Sequence, residues 1–233
     1  MADRQRDPWP LLLAREARTA PELAAFMATA GPLVQRSPRG DGHAVIVLPG
    51  LGGGDSSTIP LRWFLDRLGY RTAGWGLGTN RGFSAAVREG LDDALRDALA
   101  LGAGPVSLVG WSLGGVHAIE LARRRPRDIR AIVTLGSPLG RLPGPPAAIP
   151  TTSVFSRSDA IVPWRASLLP GEPRRENVEV RGSHLGLGHN PAVVVVVADR
   201  LAQRPGAWQR FEPPSWARRW FPSSTPPSRP ERG

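Results

Sequence analysis

An α/β architecture, a doubly wound and mostly parallel sheet of about six strands with helices on both faces, is predicted by three observations. Short runs rich in Val, Ile and Leu alternate along the chain with longer stretches of helical periodicity, the pattern of βαβ units. These runs are apolar throughout rather than alternately apolar and polar, as strands covered by helices on both sides must be. One of them, residues 105–109, ends in Gly110-Trp111-Ser112-Leu113-Gly114 and passes at once into a helical stretch, 115–125, so a serine sits on a sharp strand-to-helix turn.

The elements follow in order. Residues 9–30 have the spacing of one or two amphipathic helices, with Pro21 marking a break or a new start. Gly40-Asp41-Gly42 is a turn, and His43-Ala44-Val45-Ile46-Val47-Leu48 is the first buried strand. A glycine loop, 49–54, leads to Asp55-Ser56-Ser57, which offers caps for a helix over 58–68. Residues 70–75 form a second strand, and leucines, alanines and Val87 at helical spacing predict a helix over 81–101, stopped by Gly102 and Gly104. The third strand is 106–109, the fourth 129–135, the fifth 151–155 and the sixth 177–181, with a Pro-rich loop at 140–150. Asn190-Pro191 is an N-cap followed by proline at the first helical position, opening a last helix to about residue 201. The organisation is therefore an N-terminal helical segment packing on the core (1–42), a core (43–203), and a tail rich in Pro, Arg and Trp (204–233).

A chain of 233 residues fits one domain with a substantial core. Absence of cysteine excludes disulfides and thiol catalysis. The net charge is +10 with a pI near 11.6, yet all 30 basic residues are arginine and they are scattered along the chain. This is the mark of a GC-rich coding bias and not of a nucleic-acid patch; no nucleic-acid partner is expected. The densest cluster, Arg123-Arg124-Arg125 with Arg127, ends a helix, where cations suit the dipole. The first eight residues lack the apolar core and cleavage site of a signal peptide, and the longest apolar run, 192–198, is too short to span a bilayer. A cytoplasmic protein is the expectation.

The chemistry centres on Ser112. In a G-x-S-x-G turn the glycines stand where strand and helix crowd together, and the turn lifts the serine hydroxyl to the rim of the sheet. The same sequence also fits an ordinary tight turn in which Ser112 caps the helix. A serine hydroxyl needs a base, a group to orient the base, and donors for an oxyanion. Asp159, just after the fifth strand in Ser158-Asp159-Ala160-Ile161-Val162-Pro163, is the candidate acid; Asp128 lies at the wrong end of a strand and Glu179 within one. An Asx-turn aspartate is the alternative at 159. His184, in Gly182-Ser183-His184-Leu185-Gly186-Leu187-Gly188-His189 after the last strand, is the candidate base, with His189 as its rival. His43 lies at the amino end of a strand, and His117 lies five residues into the helix after Ser112. Backbone N–H groups of Leu113 and, from the glycine loop, Leu51 are the candidate oxyanion donors. Trp111, Leu139, Ile161, Trp164 and Leu185 flank these loops, and Trp111, Leu139, Ile161 and Leu185 are the candidate contacts for an apolar acyl chain.

The elbow, the acid loop and the His-Leu-Gly-Leu segment together resemble the α/β-hydrolase family, particularly its small lipase and esterase branch, over roughly residues 43–201. The resemblance implies a minimal core without a sizeable cap and an open site, since only the loop 140–150 stands where a cap is often inserted. It also implies two further leading strands, for which the N-terminal segment alone leaves room. Many relatives have His-Gly where this chain has Pro49-Gly50. The implied function is hydrolysis of carboxylic esters by a Ser112-His184-Asp159 triad, with a small acyl ester as substrate and no cofactor or metal. Acyl transfer by the same triad and a non-catalytic interaction protein on the same scaffold are the alternatives. Epoxide hydrolysis and dehalogenation need a carboxylate at the elbow. The tail mixes arginines with Trp208, Phe211, Trp216, Trp220 and Phe221, as segments at a membrane surface do; peripheral membrane contact and docking on the protein's own surface are both open.

Overall fold

A computed structural model describes residues 16–102, 104–140 and 143–222. Among these, five α-helices and six strands follow in the order α1 (Thr19–Arg36), β1 (Ala44–Leu48), α2 (Ile59–Leu68), β2 (Arg71–Ala73), α3 (Ala85–Leu101), β3 (Val106–Trp111), α4 (Leu113–Arg124), β4 (Ile129–Leu135), β5 (Thr151–Phe155), β6 (Arg175–Glu179) and α5 (Pro191–Ala202). The sheet order is β2-β1-β3-β4-β5-β6, and every pairing is parallel. The chain leaves β1 toward the β2 edge, then returns to place β3 on the other side of β1. The carboxyl ends of β1 and β3 therefore form a topological switch point, where open α/β sheets bind their ligands.

The two-residue alternation of the strands divides the core. Val45 and Val47 of β1 face α1, α2 and α5, whereas Ala44, Ile46 and Leu48 face α3 and α4. The α5 helix carries five successive valines, all buried. Each costs roughly half a kcal/mol of helix propensity, but burial of each contributes about 1.5–3 kcal/mol, so packing decides. Asn190 caps this helix as its sequence predicts, accepting from Ala192 N–H at 2.9 Å.

Several boundaries differ from expectation. The α1 helix runs unbroken through Pro21 and continues past Gly31 and Pro32 to Arg36. Pro21 lies in the first turn, where its missing N–H costs nothing, and Leu33, 2% exposed, gains enough core contact to carry the helix over Pro32. Residues 9–15 of the predicted N-terminal helix lie outside the described residues. Residues 55–58 make a 3₁₀ turn, and no side chain among them caps α2. The α3 helix starts at Ala85, where the Ser84 hydroxyl accepts from Val87 N–H. The sixth strand begins two residues early, at Arg175. Its Glu176 is buried against Arg200 at 2.6 Å and also accepts from Thr152 and from Phe211 N–H. The segment before β1 is helical in its described part, so the described sheet lacks the two leading strands of the resemblance.

In the tail, Ala217 and Phe221 enter the core on the α1/α5 side, and Phe211, Trp216 and Trp220 pack against it. The Arg36 guanidinium lies over the Trp216 ring at 5.8 Å, and that of Arg200 over Phe211 at 5.7 Å. No helix among the described residues is long and apolar enough to cross a membrane.

Burial holds the titration of His43, His117 and His189 below the ordinary histidine value. The unfolded chain then takes up protons near pH 6.5 that the folded chain refuses, so stability falls as pH drops below that value, by at most about 1.4 kcal/mol per pH unit for each group. His117 is the clearest case. It is 1% exposed, its Nε2 has no partner, and its ring lies between Trp75 and Phe83. His117→Phe is expected to raise Tm more at pH 5.5 than at pH 8, as thermal denaturation at the two pH values would show. An equal change at both would remove His117 from the acid transition.

Candidate active site

The turn after β3 has the backbone that the motif requires. Ser112 sits at φ 52° and ψ −121°, one of only two non-glycine residues with positive φ among the described residues. Such a conformation costs on the order of 1–3 kcal/mol and persists where the surroundings enforce it. They do so through the two glycines. A Cβ at Gly110 would collide with the backbone of Gly115, and one at Gly114 with the carbonyl of Leu48. The Ser112 N–H donates to the Leu135 carbonyl at 2.8 Å, tying the elbow to the end of β4.

Asp159 and His184 meet at the same rim. His184 Nδ1 lies 2.7 Å from Asp159 Oδ2, with the side chains 4% and 1% exposed. The other carboxylate oxygen of Asp159 accepts from the N–H groups of Ile161 (2.9 Å) and Val162 (2.7 Å). Asp159 thus closes an Asx-type turn and holds a histidine at once. The pair lies over Gly136, where a Cβ would stand 3.0 Å from Asp159 Oδ2 and 3.2 Å from His184 Nδ1. Gly136 directly follows Leu135, the acceptor of the elbow N–H. The Trp111 indole donates to the His184 carbonyl at 3.1 Å. These contacts bring serine, histidine and aspartate to one end of β3, β4 and β5. Among the described residues no hydrogen bond joins Ser112 to His184; bonds of this kind commonly tighten only once substrate is bound. The rivals are engaged elsewhere: His189 with the Thr19 carbonyl, Asp128 with Arg125, and Glu179 with Arg157.

The glycine loop after β1 lies against the elbow, with Gly50 so close that a Cβ would stand 3.1 Å from that of Ser112. Neither Leu51 N–H nor Leu113 N–H has an acceptor among the described residues, so both donors remain available. What holds the loop is Asn80, which sequence reasoning did not single out. Asn80 is 1% exposed. Its carbonyl accepts from Gly52, its N–H donates to Gly53 O, and its side-chain amide donates to Pro49 O and accepts from Gly82. Asp55, expected to cap α2, instead accepts from the N–H groups of Trp75 and Gly76.

A second Ser-His-Asp chain lies at the opposite end of the sheet. His43 Nδ1 is 2.5 Å from Asp41 Oδ1, and His43 Nε2 is 2.9 Å from Ser107 Oγ. Burial would raise the Asp41 carboxyl, but its bonds to His43 and Arg130 outweigh that and hold it well below the usual carboxylate range. Ser107 is 0% exposed and lies within β3. It has no strained turn, no helix N-terminus and no access. This cluster ties the amino ends of β1 and β3 together.

The profile of the alpha/beta hydrolase fold matches residues 26–177, which includes β1 to β5 and the elbow. The chain belongs to the alpha/beta hydrolase fold family. No curated protein matches it. Among solved structures, this hydrolase-fold protein is similar to a predicted CIB-like hydrolase from Thermoplasma acidophilum (TM-score 0.51, 16% identity, covering 69% of this chain and 86% of the other). It is also similar to a structure described under the metagenome-derived lipolytic enzymes LipS and LipT (0.54, 16%, 70% and 93%) and to a pyrethroid hydrolase from Sphingobium faniae JZ-2 (0.52, 17%, 67% and 96%). At these identities the likeness is one of fold.

The four candidate acyl contacts separate into kinds. Ile161 and Leu185 are exposed, at 52% and 42%. Trp111 is half-buried and packs against the core, its ring under Gly188. Leu139 is buried in the core facing α3 and α4. Trp164 stacks on Phe155, and the guanidinium carbons of Arg157 and Arg165 each lie 4.3 Å from its ring centroid.

Proposed function

We propose that this alpha/beta hydrolase cleaves carboxylic esters through an acyl-enzyme on Ser112, with His184 as general base and acid and Asp159 as its orienting carboxylate. The observation that carries this reading is the strained Ser112 backbone beside two acceptorless N–H groups, at the rim where His184 and Asp159 pair.

The steps follow from the atoms. Asp159 Oδ2 accepts from His184 Nδ1–H, which leaves Nε2 with its lone pair free to take the Ser112 proton. Ser112 Oγ attacks the acyl carbonyl, and the oxyanion is held by Leu51 and Leu113 N–H. His184 Nε2–H then protonates the departing alcohol oxygen, and the Ser112 ester remains. Water enters, gives a proton to His184 and attacks the acyl carbon; the carboxylic acid leaves as Ser112 regains its proton. Asp159 stabilises the imidazolium of both half-reactions and stays ionised throughout.

An apolar acyl group suits the surroundings. Leu51, Ile161 and Leu185 are 67%, 52% and 42% exposed on the three loops that carry the oxyanion donor, the acid and the base. Large apolar side chains left in water at a site's mouth gain by covering an apolar ligand. A fluorophosphonate probe is expected to label the protein at Ser112, with the modified peptide identified by mass spectrometry. Absence of labelling, together with no turnover across a panel of ester chain lengths, sinks the reading.

A further inference from the structure

The loop that carries His184 is held from outside the core, by two carboxylates more than 160 residues away in sequence. Glu16, just before α1, accepts from His184 N–H at 3.0 Å through Oε1 and from Leu185 N–H at 2.8 Å through Oε2. Oε1 also accepts from Ala160 N–H at 3.4 Å, directly after Asp159. Glu22, in the first turn of α1, accepts from Ser183 N–H at 2.9 Å and from the Ser183 hydroxyl at 2.6 Å. Three successive N–H groups, of Ser183, His184 and Leu185, thus converge on two carboxylates, a concave arrangement of donors suited to anions. Glu16 is 6% exposed, Ser183 0% and His184 3%, so these charge-assisted bonds are sheltered from water. Residues 182–189 carry three glycines; Leu187 anchors them in the core and Trp111 holds the His184 carbonyl, while the N–H groups of residues 183–185 rest on the two carboxylates.

We infer that Glu16, backed by Glu22, is a positioning residue for the catalytic pair, joining the His184 loop to the Asp159 loop through one carboxylate. The N-terminal segment is then part of the active site without touching substrate. The inference rests on the proposed roles of His184 and Asp159. Its reasoning is geometric. His184 reaches Asp159 through its side chain and Glu16 through its own N–H, so the imidazole is fixed at both ends. Loss of Glu16 releases the N–H side of that backbone, leaving the Trp111 bond to its carbonyl, and the ring shifts about its bond to Asp159. Leu185 and Ile161 lie on the loops that Glu16 holds but act through exposed side chains, and Leu51 lies on another loop, so the loss falls mainly on kcat.

The experiment compares wild type, Glu16→Gln and Glu16→Ala in hydrolysis of p-nitrophenyl butyrate and in amide hydrogen exchange followed by mass spectrometry. A displacement of about 1 Å in a catalytic group costs about a hundredfold in rate. Glu16→Ala is therefore expected to lower kcat by about a hundredfold with a much smaller change in KM, and Glu16→Gln, which keeps one acceptor oxygen, to lower kcat by less. Exchange is expected to rise in peptides covering 160 and 183–185 while β3 and β4 stay protected. A merely structural role predicts a loss of folded protein with kcat per active site unchanged, titrated by the fluorophosphonate; that result overturns the inference, as does unchanged exchange. Should Glu16→Ala not fold, Glu16→Gln carries the same readouts. If wild type shows no esterase activity, the proposed function fails by itself, and exchange in the two loops still decides whether Glu16 holds them.

Discussion

Ser112→Ala is expected to lower ester turnover on the order of 10⁶-fold, with Tm unchanged or raised. The unchanged fold follows from the position: the Ser112 side chain makes no hydrogen bond that stabilises the folded state among the described residues, whereas its backbone bond to Leu135 survives the substitution. Alanine is no easier to hold at φ 52° than serine, so the strain remains. The internal control is Ser107→Ala. Ser107, His43 and Asp41 are linked by hydrogen bonds of 2.9 and 2.5 Å, a more complete Ser-His-Asp chain than the one at the elbow. If hydrogen-bond geometry alone made a nucleophile, Ser107 would be one. It is fully buried, on ordinary strand backbone, with no donors for an oxyanion. Ser107→Ala is therefore expected to leave turnover intact and to lower stability by about 1–3 kcal/mol, since His43 Nε2 loses its partner in a buried place. Steady-state kinetics and denaturant titration of the two variants separate the roles. Comparable losses of activity in both would show that the rim of the sheet is not where the chemistry lies.

The sheet and the elbow were legible in the sequence because each rests on a local rule. A strand covered on both sides is apolar throughout, and β1, β3 and β5 obey this with every residue or all but the last buried. The glycines at 110 and 114 can be read because only a missing Cβ fits between β3, α4 and the end of β1. Asp159 and His184 were readable from their places after successive strands. The start of β6 was not. Arg175 and Glu176 look like loop residues, and only their ion pairs with Glu172 and Arg200 make them acceptable inside the sheet. The extent of α1 was hidden for a similar reason: Gly31-Pro32 reads as a stop until the burial of Leu33 is known.

Side chains that serve distant backbone were beyond reach of the sequence. Asn80 holds the loop 49–53 and Glu16 holds the loops at 160 and 184 through main-chain groups, which every residue possesses. Such bonds impose no periodicity and no partner identity. The aromatic tail shows the same limit. Trp216 and Trp220 are placed at right angles to each other against the core, with Arg36 over Trp216. Arginine beside tryptophan has one composition whether the partner is a lipid surface or the protein's own helices, so the sequence leaves the two open.

Asp159→Asn is expected to lower kcat by about 10⁴-fold with little change in KM or Tm. The reason lies in how the carboxylate is shared. One oxygen accepts from two backbone N–H groups, Ile161 and Val162, and the other faces His184 Nδ1. An asparagine must keep its carbonyl oxygen on the two N–H groups, because an NH₂ there would face two donors. Its NH₂ then points at His184 Nδ1 and donates to it. The imidazole is driven into the tautomer with the proton on Nε2, which has no lone pair for the Ser112 proton. The geometry is kept and the base is lost. Asp159→Ala removes the wrong donor as well as the right acceptor, so it is expected to retain more activity than Asp159→Asn despite costing more stability. That inversion is the sharper test: a ranking in which asparagine outperforms alanine would mean that Asp159 acts through packing and not through the tautomer of His184.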